Sequence, residues 1–254
     1  MGLMEFLDQN LVNTTTQMTV PASNTGTAAY LVNRNVGLGF TSVGYTTGTT
    51  LTIGLTFSPA VNVSHILLQN HNIRDGYFRY NSLAANTLAT LALNSASTTY
   101  FSFATVTGIN SIDFVMSLST VADTEKRLGE IVITTRRLQF DRNPSVDDWW
   151  PETARKQIVH EMPDGGAKVY NIRDKFRAKL RWSFITQAFH DSLLAVYDRA
   201  LPQYFVPFPT TAAGGWSGAA YEVVWLGTFN FKHGDNAKVS GFIGDVDLKQ
   251  TAGG

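Results

Sequence analysis

Residues 175–184, KFRAKLRWSF, alternate without a fault, with Phe176, Ala178, Leu180, Trp182 and Phe184 set against Lys175, Arg177, Lys179 and Arg181. Successive side chains of a β-strand point to opposite faces, so this stretch reads as a strand with one apolar and one cationic face. The four cations then repeat about every 6.5–7 Å. Such a row repels itself unless water, acids or a partner's anions screen it. The face is therefore either a solvated outer surface or an assembly surface, meaning a subunit interface or the wall of an aqueous channel. Sequence-specific nucleic-acid reading is not expected, because the aromatics are committed to a core and 20 Lys and Arg balance 20 Asp and Glu.

The same two-residue period runs through the first half. TTLTIGLTF (49–57) alternates Leu51, Ile53, Leu55 and Phe57 with smaller residues, and VNVSHILLQNHN (61–72) is dense enough at Ile66–Leu68 to be buried on both sides. Further strands are expected at 98–106, 111–118 and 129–140, punctuated by Gly108 and the 123–129 segment. Short strands with turn signals and no convincing helix predict a sandwich or jelly roll. In the second half, RKQIVHEM (155–162) reaches PDGG (163–166), a hairpin signal. One helix stands out at 186–201. Thr186 caps it, Phe189, Leu193, Val196, Tyr197 and Ala200 share a face, and Pro202 ends it. The expected fold class is mainly β, an N-terminal jelly-roll β-sandwich followed by a second α+β sandwich module with one main helix.

Charge divides the chain in two. Residues 1–121 hold 3 Lys/Arg and 4 Asp/Glu, against 17 and 16 in residues 122–254. The boundary is placed in DRNPSVDDWWPETARK, giving a sandwich over 1–140, a linker or clasp over 141–156, and a β module over 157–254. Trp149 and Trp150 in that linker either close the joint between the units or anchor a neighbour.

HNIRDGYFRYN (71–81) crowds His71, Asn72, Arg74 and Asp75 together. Loops at a sandwich end commonly hold a ligand, yet Asn, Asp and Gly also form ordinary corners. Both readings stand at this stage. Signatures of catalysis are thin. The five histidines (65, 71, 160, 190, 233) are scattered, GFTSVG (39–44) places its serine one position late for a nucleophile elbow, and NVGLGF (35–40) spaces its glycines wrongly for a dinucleotide loop. Asp147 and Asp148 are loop carboxylates with Arg155 and Lys156 close by in sequence to neutralise them. No enzyme, cofactor or metal site is expected. There is no cysteine, hence no disulfide or thiolate site. MGLMEFLDQN is no secretory signal, and no apolar run is long enough to insert into a membrane.

In AAYLVNRNVGLGFTSVGYTTGTTLTIGLTF, VNVSHILLQNHNIRDGYFRYN and KRLGEIVITTR, the first half resembles the galactose-binding-like, discoidin-related jelly roll found in many tailed-phage virion proteins. The second half, in KFRAKLRWSFIT, the helix and QYFVPFP, looks like a tail-tube or distal-tail module. The resemblance implies a structural virion protein of a phage tail tip or baseplate, made in the host cytoplasm. It would form a homo-oligomeric ring and dock other virion proteins. Its assembly interface would use Trp149, Trp150, Lys175, Arg177, Lys179 and Arg181. The alternative it implies is a carbohydrate-binding module for attachment to host-surface glycan, with Tyr45, His71, Asn72, Arg74 and Asp75 as the rim.

Overall fold

The computed structural model describes the chain apart from residues 1–2, 15–16, 22, 26, 34–37, 45, 47, 84, 145–148, 162–166, 208–219, 237–238 and 252–254. Its strands, in chain order, begin with β1 (Glu5–Leu7), β2 (Met18–Thr19), β3 (Ser23–Thr25), β4 (Phe40–Ser42), β5 (Leu51–Gln69) and β6 (Ile73–Tyr80). They continue with β7 (Thr87–Leu91), β8 (Thr99–Ser119), β9 (Arg127–Leu128), β10 (Glu130–Thr134), β11 (Arg136–Gln139) and β12 (Trp149–Glu161). After β13 (Ala167–Ile185) comes the helix α1 (Gln187–Tyr197), then β14 (Gln203–Val206), β15 (Tyr221–Leu226), β16 (Lys232–Asn236) and β17 (Val239–Gln250). The fold is mainly β, built from antiparallel sheets with one α-helix among the described residues.

A six-stranded sheet, ordered β10-β5-β8-β6-β7 with β2 beside β5, packs against a three-stranded sheet, β3-β4-β9. Leu51, Ile53, Leu55 and Phe57 fill the space between them with Phe40 and Leu128. The segments expected as two strands at 49–57 and 61–72 form one, β5, whose register to β8 slips between Thr56 and His65. The stretches at 98–106 and 111–118 likewise merge into β8, which passes Gly108 at a positive φ of 70°. The density at Ile66–Leu68 has its expected consequence. Ile66 and Leu68 enter the sandwich core, while Leu67 turns outward into a second apolar cluster with Tyr100, Val132, Leu7, Tyr204 and Val206. That cluster joins the sandwich to the larger sheet.

The larger sheet has eight strands, β11-β1-β14-β15-β17-β13-β12 with β16 beside β17. The helix lies over one face, burying Phe189, Leu193 and Val196 against Leu180, Trp182, Phe205 and Val246. Thr186 caps it as expected, its side-chain oxygen accepting from the Phe189 N–H at 3.2 Å. The helix ends at Tyr197 rather than 201, because Ala200 takes a positive φ of 49° and the chain turns.

Two expected boundaries are displaced. The ends of the 1–140 unit lie in the other body: β1 and β11 are neighbours in the eight-stranded sheet, and Met4, Phe6 and Phe140 fill its core. The strand expected over 129–140 is split at Thr135, with β10 in one sheet and β11 in the other. The physical reason is aromatic packing, since Phe6 sits 5.7 Å from Phe140 and 5.2 Å from Phe205, centroid to centroid. The linker expected over 141–156 is a strand from Trp149 onward, paired residue by residue with β13 from Leu180 to Ala167. The PDGG turn lies outside the described residues, but Glu161 pairs with Ala167 across it, so the flanks form a hairpin.

That hairpin outruns its sheet. Among the described residues, β13 pairs with β17 from Arg177 to Ile185, whereas it pairs with β12 down to Ala167. Ala154–Glu161 and Ala167–Lys175 therefore form a two-stranded arm, roughly 25 Å long at about 3.3 Å per residue.

Candidate functional site

The corner at 71–75 does bring its four residues together, and the structure shows what each holds. His71 is 4% exposed. Its Nδ1 accepts from the Ile73 N–H at 3.1 Å, which leaves Nε2 protonated and donating to Thr99 Oγ1 at 2.9 Å. Burial pushes its pKa down to about 4, so the ring is neutral at pH 7. The Asn72 side chain donates to the Glu125 carbonyl and accepts from the Arg127 N–H, both at 2.7 Å. Asp75 accepts from the Leu93 N–H at 2.7 Å, fixing a turn in which Leu93 has a φ of 53°. Arg74, beside Asp75 at 3.4 Å, is the one of the four that extends into water, at 44% exposure. Tyr45 lies outside the described residues.

A clamp that sequence reading missed borders this corner. The Glu125 carboxylate accepts from Ser42 Oγ at 2.6 Å and from the Gly44 N–H at 2.7 Å. Next to it, the fully buried Lys126 donates from Nζ to the carbonyls of Thr46 (3.0 Å) and Thr49 (2.5 Å). Two adjacent side chains thus pin the 42–49 loop from both ends. A Glu-Lys pair in an apparent turn gives no sequence signal for this, since its partners lie roughly 80 residues away.

Among the described residues, a constellation with the form of a nucleophile, base and acid is sealed. Ser64 Oγ lies 2.7 Å from His65 Nδ1, and His65 Nε2 lies 3.5 Å from Glu5 Oε1. Ser64, His65 and Glu5 are 2%, 0% and 1% exposed, so no substrate reaches them. The group works as a joint. Glu5, on β1, receives the Tyr100 hydroxyl and the Arg136 Nε at 2.8 Å, linking β8 and β11 through one carboxylate. Burial raises the Glu5 pKa, but His65, Tyr100 and Arg136 outweigh it and hold the carboxyl below its ordinary range. Burial and the Glu5 charge together push the Tyr100 hydroxyl far up.

The cationic row has the expected alternation, with Ala178, Leu180 and Trp182 buried behind it. It is screened from within. Arg177 makes two hydrogen bonds to Asp247 (3.1 and 2.6 Å), Lys179 pairs with Asp245 at 2.9 Å, and Lys175 donates to the Thr251 carbonyl at 2.9 Å. Arg181 is exposed and stands opposite Asp245 in register. Trp149 and Trp150 occupy the edge strand β12, opposite Leu180 and Lys179. Asp147 and Asp148 fall outside the described residues. Among the described residues no group of three His, Asp or Glu is placed to hold a metal, and no helix is long and apolar enough to cross a membrane.

No protein-family model matches the chain, and no curated protein does. Among solved structures it is similar to chitosan-binding module 1 from a Paenibacillus sp. IK-5 chitosanase/glucanase. That match has 12% identity and a TM-score of 0.42, over 50% of this chain and 99% of the module. A family 32 CBM from C. perfringens NanJ, solved with galactose, matches at 12% identity and a TM-score of 0.38, over 52% and 100%. The lectin domain of lectinolysin, solved with Lewis B antigen, matches at 14% and 0.36, over 46% and 90%. None of these three is named as part of a phage particle. Likenesses this distant decide nothing about function, which has to be read from the chain's own residues.

Proposed function

We propose that this protein is a non-catalytic assembly subunit, a β-built body that joins copies of itself through the β12–β13 arm and carries the sandwich as a second, outward-facing body. The observation that carries the reading is the arm. A two-stranded ribbon is marginally stable alone, and among the described residues β12 stands at the end of the sheet order, a position from which a strand pairs with another chain. Pairing with a neighbour supplies what the ribbon lacks. Stable interfaces of this kind bury more than about 1,000 Å². The narrower placement, in the tail tip or baseplate of a tailed phage, rests on the sequence resemblance alone.

The test is mass measurement of the full chain in solution, alongside a variant in which a short turn replaces residues 156–173. The full chain should be oligomeric, and the shortened one monomeric with an unchanged melting midpoint. A full chain that stays monomeric at high concentration would remove the proposal.

A second reading, attachment to glycan at the sandwich end, is favoured by the clamp of Glu125 and Lys126 on Ser42, Gly44, Thr46 and Thr49, which Asn72 joins to the corner, because binding rims are held rigid by such supports. A glycan array probed with the full chain and with Arg74→Ala examines it. Silence with both proteins, or equal binding by both, counts against that rim.

A further inference from the structure

Away from the corner, a cleft of about 350 Å³ opens between the end of α1 and the larger sheet. One side is the last helical turn, Val196 to Asp198, with Leu201 beyond it, and the other is β15 around Trp225. Its two rims are turns held at positive φ, Ala200 at 49° and Gly227 at 78°. They are tied together by the Tyr197 hydroxyl, which donates to the Gly227 carbonyl at 3.3 Å. The cleft is thus a built feature of the fold, within the size range of small-molecule sites.

Gln203 borders it. This side chain is 6% exposed, and its Nε2 donates to the Val196 carbonyl at 2.8 Å. That bond fixes which end of the amide is which. Oε1 is left as an acceptor with no hydrogen-bond partner among the described residues. Buried acceptors are rarely left unmet, and one that is calls for an explanation. At the mouth, Asp198 adds a second acceptor, an exposed carboxylate, while its neighbour Arg199 is drawn off to Asp8. Gln203 Oε1 and the Asp198 carboxylate are both acceptors, and they stand with the apolar Val196, Leu201 and Val223 and with Trp225, whose ring is flat and apolar apart from its one N–H donor. A ligand that suits them presents donors on one edge and an apolar face on the other. A full positive charge is disfavoured at the inner end, where a neutral amide among apolar side chains is poor compensation for lost water.

We propose that this cleft binds a small neutral polyhydroxylated molecule, a monosaccharide or similar polyol, with one hydroxyl donating to Gln203 Oε1 and another to Asp198. The site is distinct from the 71–75 corner and independent of whether copies assemble through the arm.

The experiment is calorimetric and saturation-transfer titration of the full chain against neutral monosaccharides and polyols, with an amino sugar, a simple alkylamine and a short aliphatic alcohol as controls. Saturable binding of at least one neutral sugar or polyol is expected. Gln203→Met, which keeps the shape and removes the acceptor, should weaken it about tenfold, the effect of one hydrogen bond. Leu201→Trp, a change at an exposed wall residue, should abolish it while the melting midpoint stays put. Arg74→Ala should leave it unaltered. The proposal is overturned if no neutral polyol binds, if only the amines or the aliphatic alcohol bind, or if Leu201→Trp and Gln203→Met both bind like the parent. It is equally overturned if Arg74→Ala alone removes binding, which would place the sugar at the corner.

Discussion

Acid should loosen this protein through His71 well before its carboxylates respond. The ring is buried and neutral, with a folded-state pKa of about 4, against roughly 6.5 in an unfolded chain. A group whose folded pKa is depressed contributes stability that is fully present above its unfolded value and is lost as pH falls toward the folded one. The window is therefore about pH 6.5 down to about pH 4. Each pH unit within it is worth about 1.4 kcal/mol, so the loss is roughly 2 kcal/mol by pH 5 and about 3 kcal/mol by pH 4. Urea unfolding at pH 7, 6 and 5, followed by far-ultraviolet circular dichroism, measures it. His71→Gln supplies the control, since an amide can still accept from Ile73 and donate to Thr99 without titrating. The variant should be less stable at pH 7 but nearly flat from pH 7 to 5. An NMR titration that places the His71 pKa near 6.5, or a variant that keeps the parent's slope, refutes the reasoning.

Three further outcomes follow from the packing. Glu5→Gln removes the buried charge that meets Tyr100 and Arg136. It should cost about 2–4 kcal/mol at neutral pH, and the parent's advantage should vanish as acid protonates Glu5 below its ordinary pKa, read from urea midpoints at pH 7 and 3. Leu67→Ala opens a hole where the two sheets meet and should cost about 2–5 kcal/mol in the same assay. Lys126→Met releases the Thr46 and Thr49 carbonyls. Limited proteolysis should then cut the 43–49 loop several-fold faster, and an unchanged cleavage rate would show that the ammonium is not what holds it.

The parts legible in sequence are those whose cause is local. Alternation at 175–184 gave a strand with one buried face, density at Ile66–Leu68 gave burial on both sides, and Thr186 gave the start of the helix. What escaped depends on partners distant in the chain. Nothing within EFL announces that Glu5 will meet His65, Tyr100 and Arg136, and nothing in EIVITTRRLQF marks Thr135 as the crossing between sheets. The change in charge density near residue 121 is real, but it does not coincide with where β11 joins the larger sheet. At the corner, the residue types suit both a turn and a rim. Their bonds to Arg127, Glu125 and Leu93 needed the fold. Which of water, acids or a partner screens the cationic row is not legible locally, because Asp245 and Asp247 arrive about 70 residues later.

Leu7 stands directly across from Arg136, so everything between them leaves the larger sheet and re-enters it at one place. To form that pair from an unfolded chain, roughly 130 residues would have to be looped, an entropic burden that grows with length. A sandwich already folded delivers both ends side by side. The sandwich thus fixes the spacing of the two strand ends that meet at this edge. A tight turn from Leu7 to Arg136 would close the same hairpin, but it would strip the buried Glu5 of Tyr100 and His65 and uncover Leu7, Tyr204 and Val206.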